Sequence, residues 1–291
     1  MYKYNAQVPQ HVPAITLGGY VRRAFPLLPE SALRSAFDRR DVKMDGKRCG
    51  KGEKVVPGSV VTVFTEHQAM MPIAYEDTDV LAVDKPAGVS CDADAYGSMT
   101  VLDWAQLYAR DEFCPRMCHR LDNPTSGLLL LAKNDQAEKV LTEMFAAHTG
   151  QKSYCCIVAG RPKIAHDTCS AWLTKDAARG VVRVSSQEGP QAKRIETEYE
   201  VIQGGALSLL RVSPHTGRTH QIRAHMAFMG HPLLGDDLYG DRALNRQYGA
   251  HGLMLRSVSI RIETRGALPQ LDGKVITVQD IIDRCYNNLI R

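Results

Sequence analysis

A carboxylate can do chemistry when a rigid element holds it against a substrate. The stretch Cys118-His119-Arg120-Leu121-Asp122-Asn123-Pro124-Thr125-Ser126-Gly127, followed by Leu128-Leu129-Leu130-Leu131, has that arrangement. It opens polar, turns at Asn123-Pro124, where proline favours a turn or extended start over a helix interior, and runs into a short apolar segment that reads as a buried strand. Asp122 therefore sits on a loop at the mouth of a core strand, where a side chain can reach a ligand while its backbone stays fixed. Taken alone, such an Asp reads as a turn residue bonding its own backbone. A second dense stretch is Pro214-His215-Thr216-Gly217-Arg218-Thr219-His220-Gln221-Ile222-Arg223-Ala224-His225. Its histidines recur every five residues, which on a helix turns successive side chains by roughly 140°. They do not share a face, and a zinc helix uses a four-residue step instead. Cys114, Cys118 and His119 have no second ligand pair at metal spacing. No phosphate-cradling glycine loop and no dinucleotide fingerprint is present.

Together the two stretches resemble the RluA-type pseudouridine synthases, which isomerise uridine in RNA. Arg120-Leu121-Asp122 with Thr125-Ser126-Gly127 matches the segment carrying that family's catalytic aspartate, which falls on Asp122. Thr216-Gly217-Arg218-Thr219-His220-Gln221-Ile222-Arg223 matches the segment carrying the arginine that pairs with it, which falls on Arg218. The resemblance implies that the C1′–N1 glycosidic bond is broken, the base turned and the ring rejoined through C5, with no cofactor and no metal. Asp122 would either add covalently at C1′ or help remove a sugar proton. A guanidinium fork from Arg218 would hold that carboxylate in one geometry and keep it ionised. Lys152-Ser153-Tyr154 resembles the family's Lys-x-Tyr motif, which gives Tyr154 a stacking role on the uracil and a proton-transfer role at C5. The target base must be flipped out of folded RNA, and Arg120 is placed to fill the vacated space. Lys85-Pro86-Ala87-Gly88 resembles the family's first motif, in which Lys85 is structural or holds the active-site loop.

The elements that must position these residues follow from periodicity. Residues 1–12 read as an irregular tail. Leu17, Tyr20, Val21 and Ala24 have helical spacing, and Ser31 could cap a second helix carrying Leu33, Ala36 and Phe37. Val42-Lys43-Met44 enters the turn Asp45-Gly46, and residues 60–64 form a strand. This piece resembles the S-four-like (alpha-L) RNA-binding domain, with Arg34, Arg39, Arg40, Lys43 and Lys47 along its RNA face. It departs from that pattern at Ile15-Thr16-Leu17, Ala32 and Arg40-Asp41. After a linker at 65–72, residues 73–83 predict a strand, 100–108 a helix, and 134–148 a helix capped by Asn134 or Asp135. Gln151 to Val158 reads as a strand, and 165–213 is strand-rich. In the strand around Glu196, Glu198 and Glu200 the glutamates fall on one half-exposed face. A helix then runs to about Met229. Where the family has His-Ala in its late strand, Arg256-Ser257 stands here. The expected organisation is α+β: an S-four-like domain over 1–65, then a catalytic domain over 73–291 around a mostly antiparallel mixed sheet, the pseudouridine synthase fold.

The spread of charge suggests that the N-terminal piece meets a polyanion. The 291 residues carry a formal charge of +4. Residues 1–65 hold eleven Lys and Arg against five Asp and Glu, a balance of +6 that leaves −2 for the rest. No apolar run approaches the roughly 20 residues that span a bilayer, and no signal peptide is recognisable. The expectation is a cytoplasmic monomer without a membrane partner, its eight cysteines reduced. The expected partner is structured RNA: ribosomal RNA, which suits an appended domain, with transfer RNA open. Two other classes compete. A non-enzymatic RNA-binding or ribosome-assembly factor would be favoured by loss of Asp122, Tyr154 or Arg218, and all three stand. A nucleoside glycosidase would leave the basic N-terminal piece without a role, and no second acidic residue occupies a comparable motif for a two-carboxylate site.

Overall fold

A computed structural model describes residues 1–289; the last two residues of the catalytic domain expected over 73–291 lie outside the described residues. The chain divides into two compact units, one of residues 1–72 with 88–115, the other of 73–87 with 116–291.

The smaller unit is built on a four-stranded sheet ordered β1-β4-β2-β3, comprising β1 (Tyr2–Gln7), β2 (Val42–Met44), β3 (Lys47–Arg48) and β4 (Val60–Thr65). Residues 1–12 are thus not a tail. Tyr2 to Gln7 pairs antiparallel with Thr65 to Val60, and the alternation of Tyr4 and Ala6 buries one face of it. Six residues with so few apolar side chains give too weak a period to stand out in the sequence. Helices α1 (Leu17–Ala24) and α2 (Glu30–Asp38) follow. Thr16 caps α1 by accepting from Gly19 N. The start of α2 is set by Pro29 rather than by Ser31, which lies inside the helix. Asp45 and Gly46 both take positive φ in the hairpin between β2 and β3, as a two-residue turn demands. The segment 88–115, expected in the catalytic domain, packs here. Its helix α3 (Val101–Ala109) opens on a Thr100–Asp103 capping box. Met99 N donates to Ala24 O at 2.8 Å, and Trp104 Nε1 to Ala69 O at 3.0 Å.

The larger unit is an α+β layer around one eleven-stranded mixed sheet. Its strands are β5 (Ile73–Glu76), β6 (Val80–Lys85), β7 (Arg116–Met117), β8 (Ser126–Ala132), β9 (Gln151–Ala159), β10 (His166–Asp176), β11 (Val181–Ser185), β12 (Lys193–Gln203), β13 (Leu207–Pro214), β14 (Leu255–Arg261) and β15 (Val275–Thr277). The main path runs β11-β10-β12-β13-β9-β14-β8-β6-β5, with β7 beside β8 and β15 beside β14. Every pair is antiparallel except β14 with β8. The helices are α4 (Asp135–Ala146), α5 (Gln221–Phe228), α6 (Arg242–Gln247) and α7 (Ile282–Leu289). Strand β8 is buried from Gly127 onward because both its faces are covered, which is why it reads as an unbroken apolar run. Asn134 caps α4 by accepting from Ala137 N at 2.9 Å, and Leu141, Met144 and Phe145 pack on Leu128, Leu130 and Ile260.

One row across the sheet orders the centre: Lys85 on β6 faces Gly127 on β8, Gly127 faces Ser257 on β14, and Ser257 faces Tyr154 on β9. Gly127 takes φ +106°, and a Cβ there would fall on the Ser257 carbonyl oxygen. Only glycine lets the parallel pair close at this point. Gly127→Ala is therefore expected to destabilise the larger unit by about 3 kcal/mol, the strain of a left-handed residue added to a backbone clash. Urea unfolding checks this. An unchanged midpoint would mean that β8 and β14 separate there at no cost.

Candidate active site

The loop that carries Asp122 is tied down from below. Lys85 is fully buried, and its Nζ donates to the carbonyl oxygens of Asn123 at 3.0 Å and Pro86 at 3.1 Å. Thr125 N closes the turn onto Asp122 O at 3.0 Å. Upstream, His119 is partly buried and its Nε2 accepts from Leu130 N at 3.0 Å, which pins the other arm of the loop to β8. Burial pushes the His119 proton affinity far down, so the ring is neutral. The Asp122 side chain between these anchors stays 23% exposed.

The arginine that meets Asp122 is Arg223, and this corrects the expectation for Arg218. Arg223 Nη1 lies 3.6 Å from Asp122 Oδ2, while Arg218 forms no ion pair with it among the described residues. The cause is the turn before α5. Gln221 Oε1 accepts from Arg218 N at 3.1 Å and from Thr216 Oγ1 at 2.8 Å, and Gln221 Nε2 donates to Glu196 O and Thr197 Oγ1. That clamp leaves the Arg218 side chain exposed at the rim, and the inward-facing turn of α5 brings Arg223 instead. Arg223 is 1% exposed. Its Nε and Nη2 are taken by Asp236, at 2.7 and 2.8 Å, and Nη2 also reaches Asp237 at 3.3 Å. Nη1 is left for Asp122. Burial works against the Arg223 charge, but the carboxylates of Asp236, Asp122 and Asp237 overcome it and raise its pKa. For Asp236 burial pushes upward, and the hydrogen bonds and charge of Arg223, with the Tyr239 and Leu238 amides, bring its pKa below the usual range.

Sequence reasoning missed Arg223, Asp236, His220 and Tyr239 as parts of one assembly. The signal was available, because Arg223 closes the quoted motif and Gly235-Asp236-Asp237-Leu238-Tyr239-Gly240 is a second cluster of turn and charged residues. Tyr239 lies over the Arg223 guanidinium at 5.4 Å, shares a 2.9 Å hydrogen bond with His220 Nδ1, and its hydroxyl accepts from Val182 N at 2.9 Å. Burial lowers the His220 pKa, against the raising effect of Asp122.

The remaining expected residues fall as follows. Tyr154 is buried, 7% exposed, in the row that contains Gly127. At two strand spacings, that is about 10 Å from it. Arg120 is exposed on the Asp122 loop. Arg34, Arg39, Arg40, Lys43 and Lys47 all lie in the smaller unit. Arg34 pairs with Glu30 at 2.9 Å and Arg39 with Glu66 at 3.4 Å. Arg40 takes φ +60° after α2, Lys43 covers the Phe64 ring at 5.0 Å, and Lys47 is exposed on β3. At the family departure Arg256-Ser257, Arg256 is buried and donates to Asp84 Oδ2 at 2.5 Å and Gln279 O at 2.9 Å, so its charge is met inside the fold.

Asp122 is thus a carboxylate open to a ligand and backed by a buried guanidinium, a geometry that can serve an enzyme. The model of the family described as RNA pseudouridylate synthase matches residues 79–228, and the chain belongs to that family. It is an RNA pseudouridine synthase. Relatives include ribosomal large subunit pseudouridine synthase C of Vibrio cholerae serotype O1, 31% identical over 84% of either chain. The protein of that name from Escherichia coli strain K12 is 30% identical over 94% of this chain and 92% of its own. Among solved structures, human RNA pseudouridylate synthase domain containing 1 aligns with a TM-score of 0.58 at 26% identity, covering 76% of this chain and 95% of its own.

Two outcomes are expected. Arg223→Lys keeps a charge but cannot span Asp236 and Asp122, and should lower kcat for uridine conversion about 100-fold through misplacement of the carboxylate. A kcat within a factor of two of wild type would mean that the fork is dispensable. His225 is buried, its Nδ1 shares a 2.9 Å hydrogen bond with Thr197 Oγ1, and burial depresses its pKa to about 4. Because the folded form takes the proton less readily than the unfolded form, stability is full above about pH 6.5 and falls as pH drops toward 4. The loss is about 3 kcal/mol. His225→Gln should flatten that limb in urea titrations at stepped pH, whereas an unchanged limb would assign the proton elsewhere.

Proposed function

We propose that this chain isomerises specific uridines in structured RNA, in the first place large-subunit ribosomal RNA, to pseudouridine, with Asp122 as the reacting carboxylate and no cofactor. The observation that carries the reading is the unequal exposure of one ion pair. Asp122 is open to a nucleotide while Arg223 behind it is sealed in. Arg223 spends its other nitrogens on Asp236, so Asp122 is restrained by charge without being locked in a bidentate bond. At C1′ it can add or draw a sugar proton, the C1′–N1 bond breaks, and the base turns to rejoin through C5. Tyr154, in the same cross-sheet row as the start of β8, supplies a flat face for the uracil and a hydroxyl near C5. Arg120, exposed on the loop two residues before Asp122, occupies the gap left by the flipped base.

The ribosomal target rests on the named activity of the relatives in Vibrio and Escherichia. The smaller unit, with its basic α2 to β3 face, is assigned the S-four-like role of gripping RNA backbone through Arg34, Arg39, Arg40, Lys43 and Lys47. Purified protein should form pseudouridine in a large-subunit ribosomal RNA transcript without additives, detected by chemical labelling. Asp122→Asn should bind the transcript with wild-type affinity and form none. Conversion by that variant at the wild-type rate would remove Asp122 from the chemistry.

A further inference from the structure

Three basic side chains outside the Asp122 assembly converge without a counter-charge. Lys152 projects from β9, His148 stands just past α4 with φ +55°, and Arg218 sits in the turn before α5. Gly217 lies between them. A Cβ built on it would stand 3.3 Å from His148 Cε1 and 3.8 Å from Lys152 Nζ. Other arginines of this unit, Arg116, Arg194, Arg211, Arg223 and Arg256, each meet a carboxylate. Lys152, His148 and Arg218 meet none among the described residues. Gathering such groups costs energy that the protein itself does not offset. Burial first, then the charges of Lys152 and Arg218, lower the proton affinity of His148, and burial lowers that of Lys152. An anion bound between them would reverse this.

The cluster adjoins the uridine site along two elements. Lys152 precedes Tyr154 by two residues on one strand, about 7 Å. Its Nζ lies 5.4 Å from the Phe145 ring centroid, and the ring of His119, three residues before Asp122, packs on that same phenyl at 4.3 Å. An ammonium from Lys152 and a guanidinium fork from Arg218, the residue after Gly217, suit a phosphate better than a carboxylate.

We propose that Lys152 and Arg218, with His148, form a receptor for one RNA backbone phosphate next to the target uridine. This deepens the reading of the chain as an RNA-modifying enzyme and rests on it. The role of Arg218 is then to bind substrate at the rim.

Filter binding of a large-subunit ribosomal RNA transcript across a salt series tests the proposal. Three proteins are compared: wild type, a neutral pair Lys152→Met with Arg218→Gln, and a charge-retaining pair Lys152→Arg with Arg218→Lys. Methionine keeps the apolar stem against Phe145, and circular dichroism checks that each protein is folded. Each lost phosphate contact should lower the slope of log K against log salt by roughly 0.7 to 0.9, so the neutral pair, which gives up one phosphate, should lose about that much and bind roughly sixfold more weakly near 0.1 M salt. The charge-retaining pair should keep the wild-type slope. An unchanged slope in the neutral pair overturns the proposal. So does an equal loss in both pairs, because that marks a packing role. Conversion is scored on the same transcript. A wild type that binds RNA but makes no pseudouridine ends the enzymatic reading, while the slopes still decide the phosphate site.

Discussion

The site depends on how one buried guanidinium divides its nitrogens. Arg223 is sealed from water, and a charge in that position must be matched on every donor or it destabilises the fold. Asp236 takes the Nε and Nη2 edge in a bidentate bond, itself held by the amides of Leu238 and Tyr239. That fixes the plane of the fork and leaves Nη1 directed at Asp122. The pairing with Asp236 is structural and closed, and the pairing with Asp122 is loose and open to solvent. The loop Gly235 to Gly240 therefore sets the position of the guanidinium that meets Asp122. Gly235 is bound there by a second constraint, since a Cβ on it would run into the Gly252 carbonyl.

The Asp122 loop receives its rigidity from the sheet. A buried lysine is costly unless its ammonium finds acceptors. Lys85 finds them in the carbonyls of Pro86 and Asn123, one from its own strand end and one from the loop. Its partner across the ladder, Gly127, lets β14 approach β8 in the only parallel pairing among the described strands, and β14 in turn seats Tyr154. Lys85, Gly127, Ser257 and Tyr154 thus register the carboxylate loop against the aromatic strand.

Much of this was legible in the sequence because it is local. The apolar run of β8, the Asn134 cap and the alternating glutamates of β12 each follow from a period or a cap within a dozen residues, and the structure has them where the periods put them. What was not legible is non-local. Tyr2 to Gln7 becomes a strand only because Val60 to Thr65 lies beside it, with Asn5 facing Thr62 and Ala6 facing Val61 from far along the chain. Residues 88–115 leave the catalytic unit for the smaller one through bonds to Ala24 and Ala69, which no spacing announces. The choice between Arg218 and Arg223 is subtler. Both stand in one motif, and their separation of five residues would place them on different faces if both were helical. The deciding fact is that α5 starts at Gln221, whose side chain bonds the backbone of 218 and holds that residue outside the helix.

Charge is distributed to match this division of labour. Within the larger unit, Arg194 on β12 and Arg211 on β13 meet glutamates, and the buried Arg223 and Arg256 meet aspartates, so these cations are spent on the fold. A protein that took a neutral substrate would gain by pairing Lys152 and Arg218 in the same way, because an unpaired and partly buried charge such as that of Lys152 costs desolvation. Leaving them bare at the mouth of a carboxylate site makes physical sense when the substrate brings its own negative charge to that mouth. The same substrate must be kept from repelling Asp122, and the buried Arg223 supplies the positive potential behind it. On the proposed reading the division is one of roles: the interior cation Arg223 acts on the carboxylate of Asp122, and the rim cations act on the RNA backbone.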